Sequence, residues 1–173
     1  NTRQTNVILG DKERTLFGPG FILDELCGLS FRISSKSFYQ VNSTQTEVLY
    51  RRAIGMAKLE GTEVLMDAYC GTGTIGLVAA RGVDGNPGAA RVIGVEERPD
   101  AVADARNNAR HNGIKRAEFV AADAGEYMHR MADEGAPLDV LMMDPPRAGS
   151  TPEFLKAACE LAPKRIVYIL SLI

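Results

Sequence analysis

From Glu63 onward, short apolar runs rich in β-branched residues alternate with longer segments in which polar positions are spaced between apolar ones. That alternation predicts repeated βα units carried on a parallel sheet. The runs cover 63–67, 91–96, 117–121, 138–143 and 165–170, and the segments between them predict helices over 74–81, 99–112, 124–133 and 152–161. Pro99 and Pro152 suit a first helical turn, and Gly113 suits the residue just past a helix end. The stretch 84–90, with Gly85, Pro87 and Gly88, reads as a surface loop before the second strand.

Ahead of these units, Asn42 with Gln45 three residues on forms a capping-box pattern for a helix running to Leu59, expected to cover the first strand of the sheet. The first forty residues differ in texture. Short segments such as 6–9 and 29–33, separated by Gly10, Gly18, Gly20 and Gly28, predict small antiparallel strands. The expected architecture is α/β: a Rossmann-like, doubly wound, mainly parallel sheet with a small β-rich N-terminal segment. Residues 1–41 are read as that segment, part of the same catalytic region, and 42–173 as the core. In a strand order 3-2-1-4-5, counted from 63–67, the loops after the first and fourth strands meet at the crevice where such sheets bind ligands.

With 173 residues, 45% hydrophobic and 24% charged, the chain is one domain of ordinary globular composition, which excludes a disordered segment. No window approaches the ~18 apolar residues of a membrane span, and the first residues lack a signal-peptide pattern, so a cytoplasmic location is expected. Cys27, Cys70 and Cys159 are odd in number and contain no CxxC pair, which argues against a disulfide framework or a zinc site and for small apolar core residues. A net charge of −2 lacks the footprint of a protein that holds nucleic acid unaided. Local basic groups (Arg32 with Lys36; Arg51, Arg52 and Lys58; Arg147) each read first as a solvated face.

The loop after the first strand carries the first chemistry. Asp67-Ala-Tyr-Cys-Gly-Thr-Gly-Thr-Ile-Gly76 leaves a strand and enters a helix, with Gly71, Gly73 and Gly76 allowing backbone to approach a ligand. Glu96, at the end of the second strand, is placed to accept hydrogen bonds from ribose hydroxyls. To this point NAD and S-adenosylmethionine fit equally. A carboxylate at Asp67 opposes a pyrophosphate and favours a cationic amino or sulfonium group, which turns the reading toward the methyl donor. Asp123, ending the third strand, is read either as a contact to the adenine edge or as a helix N-cap.

The loop after the fourth strand, Asp144-Pro-Pro-Arg-Ala-Gly149, holds a carboxylate in a corner stiffened by two prolines. Beside a donor pocket, such a corner suits hydrogen bonding to the edge of a nucleobase turned out of its stack.

These stretches resemble the class I S-adenosylmethionine-dependent RNA uracil-5-methyltransferases that modify tRNA or 23S rRNA. Phe38-Tyr-Gln-Val-Asn42 followed by Gln45-Thr-Glu47 and Leu49-Tyr50 is similar to that family's F(F/Y)QVN…QTE…LY segment. The glycine loop, Gly94-Val-Glu96, Asn108-Ala-Arg-x-Asn-Gly113, the Asp-Pro-Pro-Arg-Ala-Gly run and Arg165-Ile-Val-Tyr168 follow in the family's order. The resemblance implies donor contacts from Gln40, Asp67, Tyr69, Gly71, Gly73, Thr74, Glu96, Asp123 and Asp144. It also implies base or RNA contacts from Phe38, Gln40 and Arg147, with Asp144 serving as positioning group between donor and base. It implies that a cysteine thiolate adds to uracil C6, that C5 then takes the methyl group, and that a glutamate removes the C5 proton, because C5 is a poor nucleophile until the ring's conjugation is broken.

One departure is plain. Where the family continues with a Ser-Cys-Asn stretch carrying the nucleophile, this chain reads Ile169-Leu-Ser-Leu-Ile173. The expectation is therefore a C-terminally truncated, inactive core lacking the nucleophile, the glutamate base and an N-terminal RNA-binding domain. Cys70, Cys27 and Cys159 are poor substitutes, since a reactive thiol needs exposure and an electropositive surround. His111 and His129 read as surface or packing residues, and no metal is expected. The alternatives are an amino-group methyltransferase with a DPP motif, disfavoured by Arg147 standing where an aromatic residue would stack, and a noncatalytic or NAD-binding Rossmann module.

Overall fold

The computed structural model describes residues 14–35, 39–40, 42–146 and 149–169. The segment 6–9 lies outside them. Phe21–Leu26 (β1) and Leu29–Ser34 (β2) form an antiparallel hairpin with Leu26 opposite Leu29. Its two-residue turn has φ of 51° at Cys27 and 71° at Gly28, the paired positive values of a type I′ turn. Leu29, Phe31 and Ile33 on β2 point inward, the period of two expected of a strand with one buried face.

The main sheet comprises Val64–Ala68 (β3), Arg91–Glu96 (β4), Ala117–Ala121 (β5), Val140–Met143 (β6) and Arg165–Tyr168 (β7). All neighbours pair in parallel in the order β5-β4-β3-β6-β7, so the order reverses at β3, as expected. Between the strands run Thr74–Arg81 (α2), Pro99–His111 (α3), Ala124–Asp133 (α4) and Pro152–Leu161 (α5).

Two strands start later than their apolar runs. The Glu63 carboxylate accepts the N–H groups of Glu60, Gly61 and Thr62, which makes it part of the turn before β3. Asp139 uses its carboxylate to accept the Val64 N–H at 2.9 Å, bracing the base of the sheet ahead of β6. Two apolar cores sandwich the sheet. Leu65, Val92, Val140, Met142 and Val167 face α2, α3 and the hairpin, whereas Met66, Ile93, Val95, Leu141 and Met143 face α4 and α5.

The helix Ser43–Ala57 (α1) opens as predicted, with Asn42 Oδ1 accepting the Gln45 N–H at 3.2 Å, and turns off through left-handed Lys58. Its buried stripe of Thr46, Tyr50, Ala53, Ile54 and Ala57 has helical spacing. The stripe packs chiefly against β7, β1 and α2 rather than covering β3. The reason is that α2 already lies next to β3, with its buried residues from Thr74 to Ala80 pressed into the same core.

Candidate active site

The loop from β3 into α2 bends through three left-handed residues, Tyr69 (φ 63°), Gly71 (φ 53°) and Gly73 (φ 77°). Its glycines divide by task. A Cβ on Gly71 would meet nothing within 4 Å, so the backbone there lies open. At Gly73 it would stand 2.7 Å from the Phe119 ring, and at Gly76 2.7 Å from Asp67 Oδ2. The sequence assigned all three to ligand approach; Gly73 and Gly76 are required by packing beneath the loop.

Asp67 is sealed under the start of α2, 1% exposed, with Oδ2 accepting the Gly76 N–H at 2.9 Å. Burial pushes its pKa up to about 8; the Gly76 hydrogen bond opposes this, and the negative charges of Asp144 and Glu96 add to it. The carboxyl thus acts on the crevice through Gly76, and burial favours its protonated form.

Glu96 ends β4 and closes on the same loop. Its Oε2 accepts the Gly71 N–H at 3.1 Å and its Oε1 the Arg98 N–H at 3.0 Å. Asp144, half-buried after β6, has its pKa raised by burial. Tyr69 donates to Ser150 Oγ at 3.3 Å and packs its ring 5.3 Å from that of Phe154, joining the two loops that topology brings together. Thr74 is buried, with its hydroxyl 2.7 Å from that of Tyr50 on α1. Burial drives the Tyr50 hydroxyl well above its ordinary pKa, and Asp67 and Asp144 push the same way. Tyr50 was legible only as part of the Leu-Tyr pair and carried no role in the sequence.

Asp123 is exposed and caps α4, its Oδ1 accepting the Glu126 N–H at 2.9 Å, the second of the two readings made for it. Gln40 is half-buried and makes no hydrogen bond to a described residue; its neighbour Tyr39 donates to Asp24 at 2.9 Å. Phe38 and Arg147 lie outside the described residues. Cys27 and Cys70 are buried with thiol pKa values raised by burial, as core residues should be, but Cys159 is exposed on α5, against expectation. His129 Nδ1 lies 3.1 Å from Glu160 Oε2 on the surface. No helix among the described residues is long and apolar enough to cross a membrane, and no group of His, Cys, Asp and Glu among them could hold a metal ion.

A family model described as a methyltransferase domain matches residues 59–172, from the turn before β3 through β7. The chain belongs to the methyltransferase domain family. Relatives described as uncharacterized RNA methyltransferases, from Lactobacillus johnsonii and Halalkalibacterium halodurans, are 49% and 43% identical over 169 residues. Each alignment covers 98% of this methyltransferase chain, which spans 36% of the relative's length. Among solved structures, the Pyrococcus abyssi tRNA (uracil-54, C5)-methyltransferase in complex with S-adenosyl-L-homocysteine superposes with a TM-score of 0.74 at 32% identity. That match covers 97% of this chain and 38% of the archaeal one. An Agrobacterium tumefaciens methyltransferase, at TM-score 0.66 and 20% identity over 86% of this chain and 50% of its own, shares the fold. The fold is that of class I S-adenosylmethionine-dependent methyltransferases, and S-adenosylmethionine is the cofactor of the class. The comparisons favour this over the dinucleotide and noncatalytic readings.

Proposed function

We propose that the chain is the donor-binding core of an RNA methyltransferase that transfers a methyl group from S-adenosylmethionine to C5 of a uridine in tRNA or 23S rRNA. The observation that carries this reading is the meeting of the buried Asp67 carboxyl, Glu96 and the open backbone of Gly71 at the reversal of strand order. These residues fit the donor. Gly71 leaves room beside the loop, and Glu96 has spent two of roughly four acceptor positions on backbone amides, keeping the others for ribose hydroxyls. A cation nearby favours ionised Asp67 and offsets the burial that holds the carboxyl protonated.

When bound, S-adenosylmethionine supplies a methyl group on a positively charged sulfur. Tyr69, Gly73 and Thr74 shape the loop that receives it, and Asp123, while capping α4, is assigned to the adenine edge on the motif resemblance alone. Asp144, held half-buried after β6, orients the target base by hydrogen bonding between donor and nucleobase. Gln40, Phe38 and Arg147 are assigned to the base and RNA side on the motifs they share with the uracil-5-methyltransferases. The uracil C5 assignment draws support from those motifs and from the archaeal relative named for that activity. Residues 1–41 belong to the same catalytic region in this reading. Phosphate contacts, which dominate RNA affinity, come from a longer protein, in keeping with the chain's net charge of −2 and a cytoplasmic setting.

Calorimetric titration with S-adenosylhomocysteine and with NAD tests the core of the proposal. The homocysteine compound should bind and NAD should not, and Asp67→Ala should weaken binding by about tenfold or more. Preference for NAD, or binding indifferent to Asp67→Ala, overturns it. C5 as the target predicts tritium release from RNA bearing 5-tritiated uridine in step with methyl incorporation, measured with a full-length relative. Incorporation without release moves the target off C5.

A further inference from the structure

Asn108 in helix α3 and Asn112 at its C-cap lie one turn apart, and each engages β2 as a neighbouring strand would. Asn112 Oδ1 accepts the Ser30 N–H at 3.0 Å while its Nδ2 donates to the Ser30 carbonyl at 2.7 Å. Asn108 Oδ1 accepts the Arg32 N–H at 2.8 Å while its Nδ2 donates to the Arg32 carbonyl at 3.2 Å. The two spacings agree, since four residues rise ~6 Å along a helix and two residues ~6.7 Å along a strand. The outward backbone groups of Ser30 and Arg32 on β2 are thereby satisfied by side chains.

The pair is not symmetric. Asn108 is fully buried, and its Nδ2 also donates to the carbonyl of Thr72, at 3.2 Å, between the two left-handed glycines of the loop. The second hydrogen on Nδ2 of Asn112 goes instead to the Asn108 carbonyl of its own helix, at 2.8 Å. On the hairpin's other strand, Asp24 accepts hydrogen bonds from Tyr39 and Ser43, which flank Gln40, at 2.9 and 2.8 Å. Asp24 pairs with Phe31, next to Arg32. A path of hydrogen bonds and short stretches of backbone therefore runs from the glycine loop through Asn108 and the hairpin to the segment carrying Gln40.

We propose that the hairpin is a strut and Asn108 its joint: Asn108 is a positioning residue that fixes the glycine loop relative to the segment bearing Gln40. Its effect on donor affinity rests on the reading of that loop as the donor site. A merely structural clamp would make Asn108 and Asn112 equivalent, because each secures one residue of β2. Only Asn108 holds the loop.

The test compares the chain with its Asn108→Ala, Asn108→Ser and Asn112→Ala variants by thermal melting, S-adenosylhomocysteine titration and hydrogen exchange. The exchange readouts are the Gly73 amide, which donates to the Cys70 carbonyl, and the Gly71 amide on Glu96. All variants should melt below the parent. The Asn108 variants should bind S-adenosylhomocysteine about tenfold more weakly and exchange both loop amides about tenfold faster, with Asn112→Ala within about twofold of the parent. The serine variant, which keeps a donor, covers the case in which alanine unfolds the chain. Equal losses at the two positions, or Asn108 variants that bind and exchange like the parent, overturn the proposal. Failure of the parent itself to bind defeats the donor reading, and exchange of the loop amides, read without ligand, still decides the role of Asn108.

Discussion

Asp67 Oδ2 accepts the Gly76 N–H at 2.9 Å, and a Cβ on residue 76 would stand 2.7 Å from that same oxygen. The carboxylate and the missing side chain are two halves of one contact, which lets α2 start directly over the end of β3. A glycine inside a helix ordinarily gains ~1 kcal/mol on replacement by alanine. Here the methyl group would also come within 3.3 Å of Val92 Cγ1, in a core with nowhere to yield. Gly76→Ala should therefore lower stability by about 1–3 kcal/mol in a urea titration with unchanged slope. A midpoint equal to or above the parent's would show that the loop and strand are less closely joined than described.

The same carboxyl gives the fold a pH dependence of defined sign. In the folded chain its pKa is raised to about 8 from 3.8. Between those values the native state holds a proton that the unfolded chain has released, so stability falls as pH rises through that window. Burial moves Asp144 in the same direction. Asp67→Asn keeps an acceptor for Gly76 but cannot ionise. Its unfolding midpoint, followed from pH 5 to pH 8, should fall less than the parent's. An equal or steeper fall in the variant would remove Asp67 as the source.

The strands and the helices from 74 onward were legible because each rests on local periodicity and punctuation, Pro99 and Pro152 at helix starts and β-branched runs between them, whereas the strand order and its crevice followed from the rule for doubly wound sheets. What stayed hidden rests on contacts far apart in sequence. Gly94 could be matched to a motif, but the reason for it is the Phe119 ring, which a Cβ at 94 would enter. Asn108 and Asn112 read as a helical motif, with nothing to show that they pair with Arg32 and Ser30 across 76 and 82 positions. Asp67 could be placed at a strand end, whereas its burial depends on how α2 closes over it. The strand β1 was bracketed by Gly20 and Gly28 yet unnamed, since Ile22 and Leu23 are adjacent apolar residues that break alternation and both lie exposed.

Tyr50 and Thr74 share a buried hydrogen bond of 2.7 Å between α1 and the first turn of α2. Tyr50→Phe keeps the ring and removes the bond, leaving the Thr74 hydroxyl unpartnered inside the core. The expected cost is about 0.5–1.5 kcal/mol. A double-mutant cycle with Thr74→Val measures the coupling directly, because both single changes remove the same interaction. Strict additivity of the two losses would deny that this bond joins α1 to the donor loop.

Phe119 fills a slot that two glycines leave open, Gly73 in the loop and Gly94 on β4, and its backbone carbonyl accepts hydrogen bonds from Arg106 at 3.0 and 2.6 Å. The ring is 3% exposed and supports the loop from below. Phe119→Ala should cost about 3–5 kcal/mol by opening a cavity under Gly73. Restoring volume from the other side separates support from bulk. If the slot is shaped for this ring, Gly94→Ala alone is destabilising, whereas Gly94→Ala combined with Phe119→Ala recovers part of the loss by placing a methyl group in the vacated space. Urea midpoints of the two single variants and the double decide it, and a double variant whose loss equals or exceeds the sum of the single losses would mean that the glycine and the ring do not share one volume.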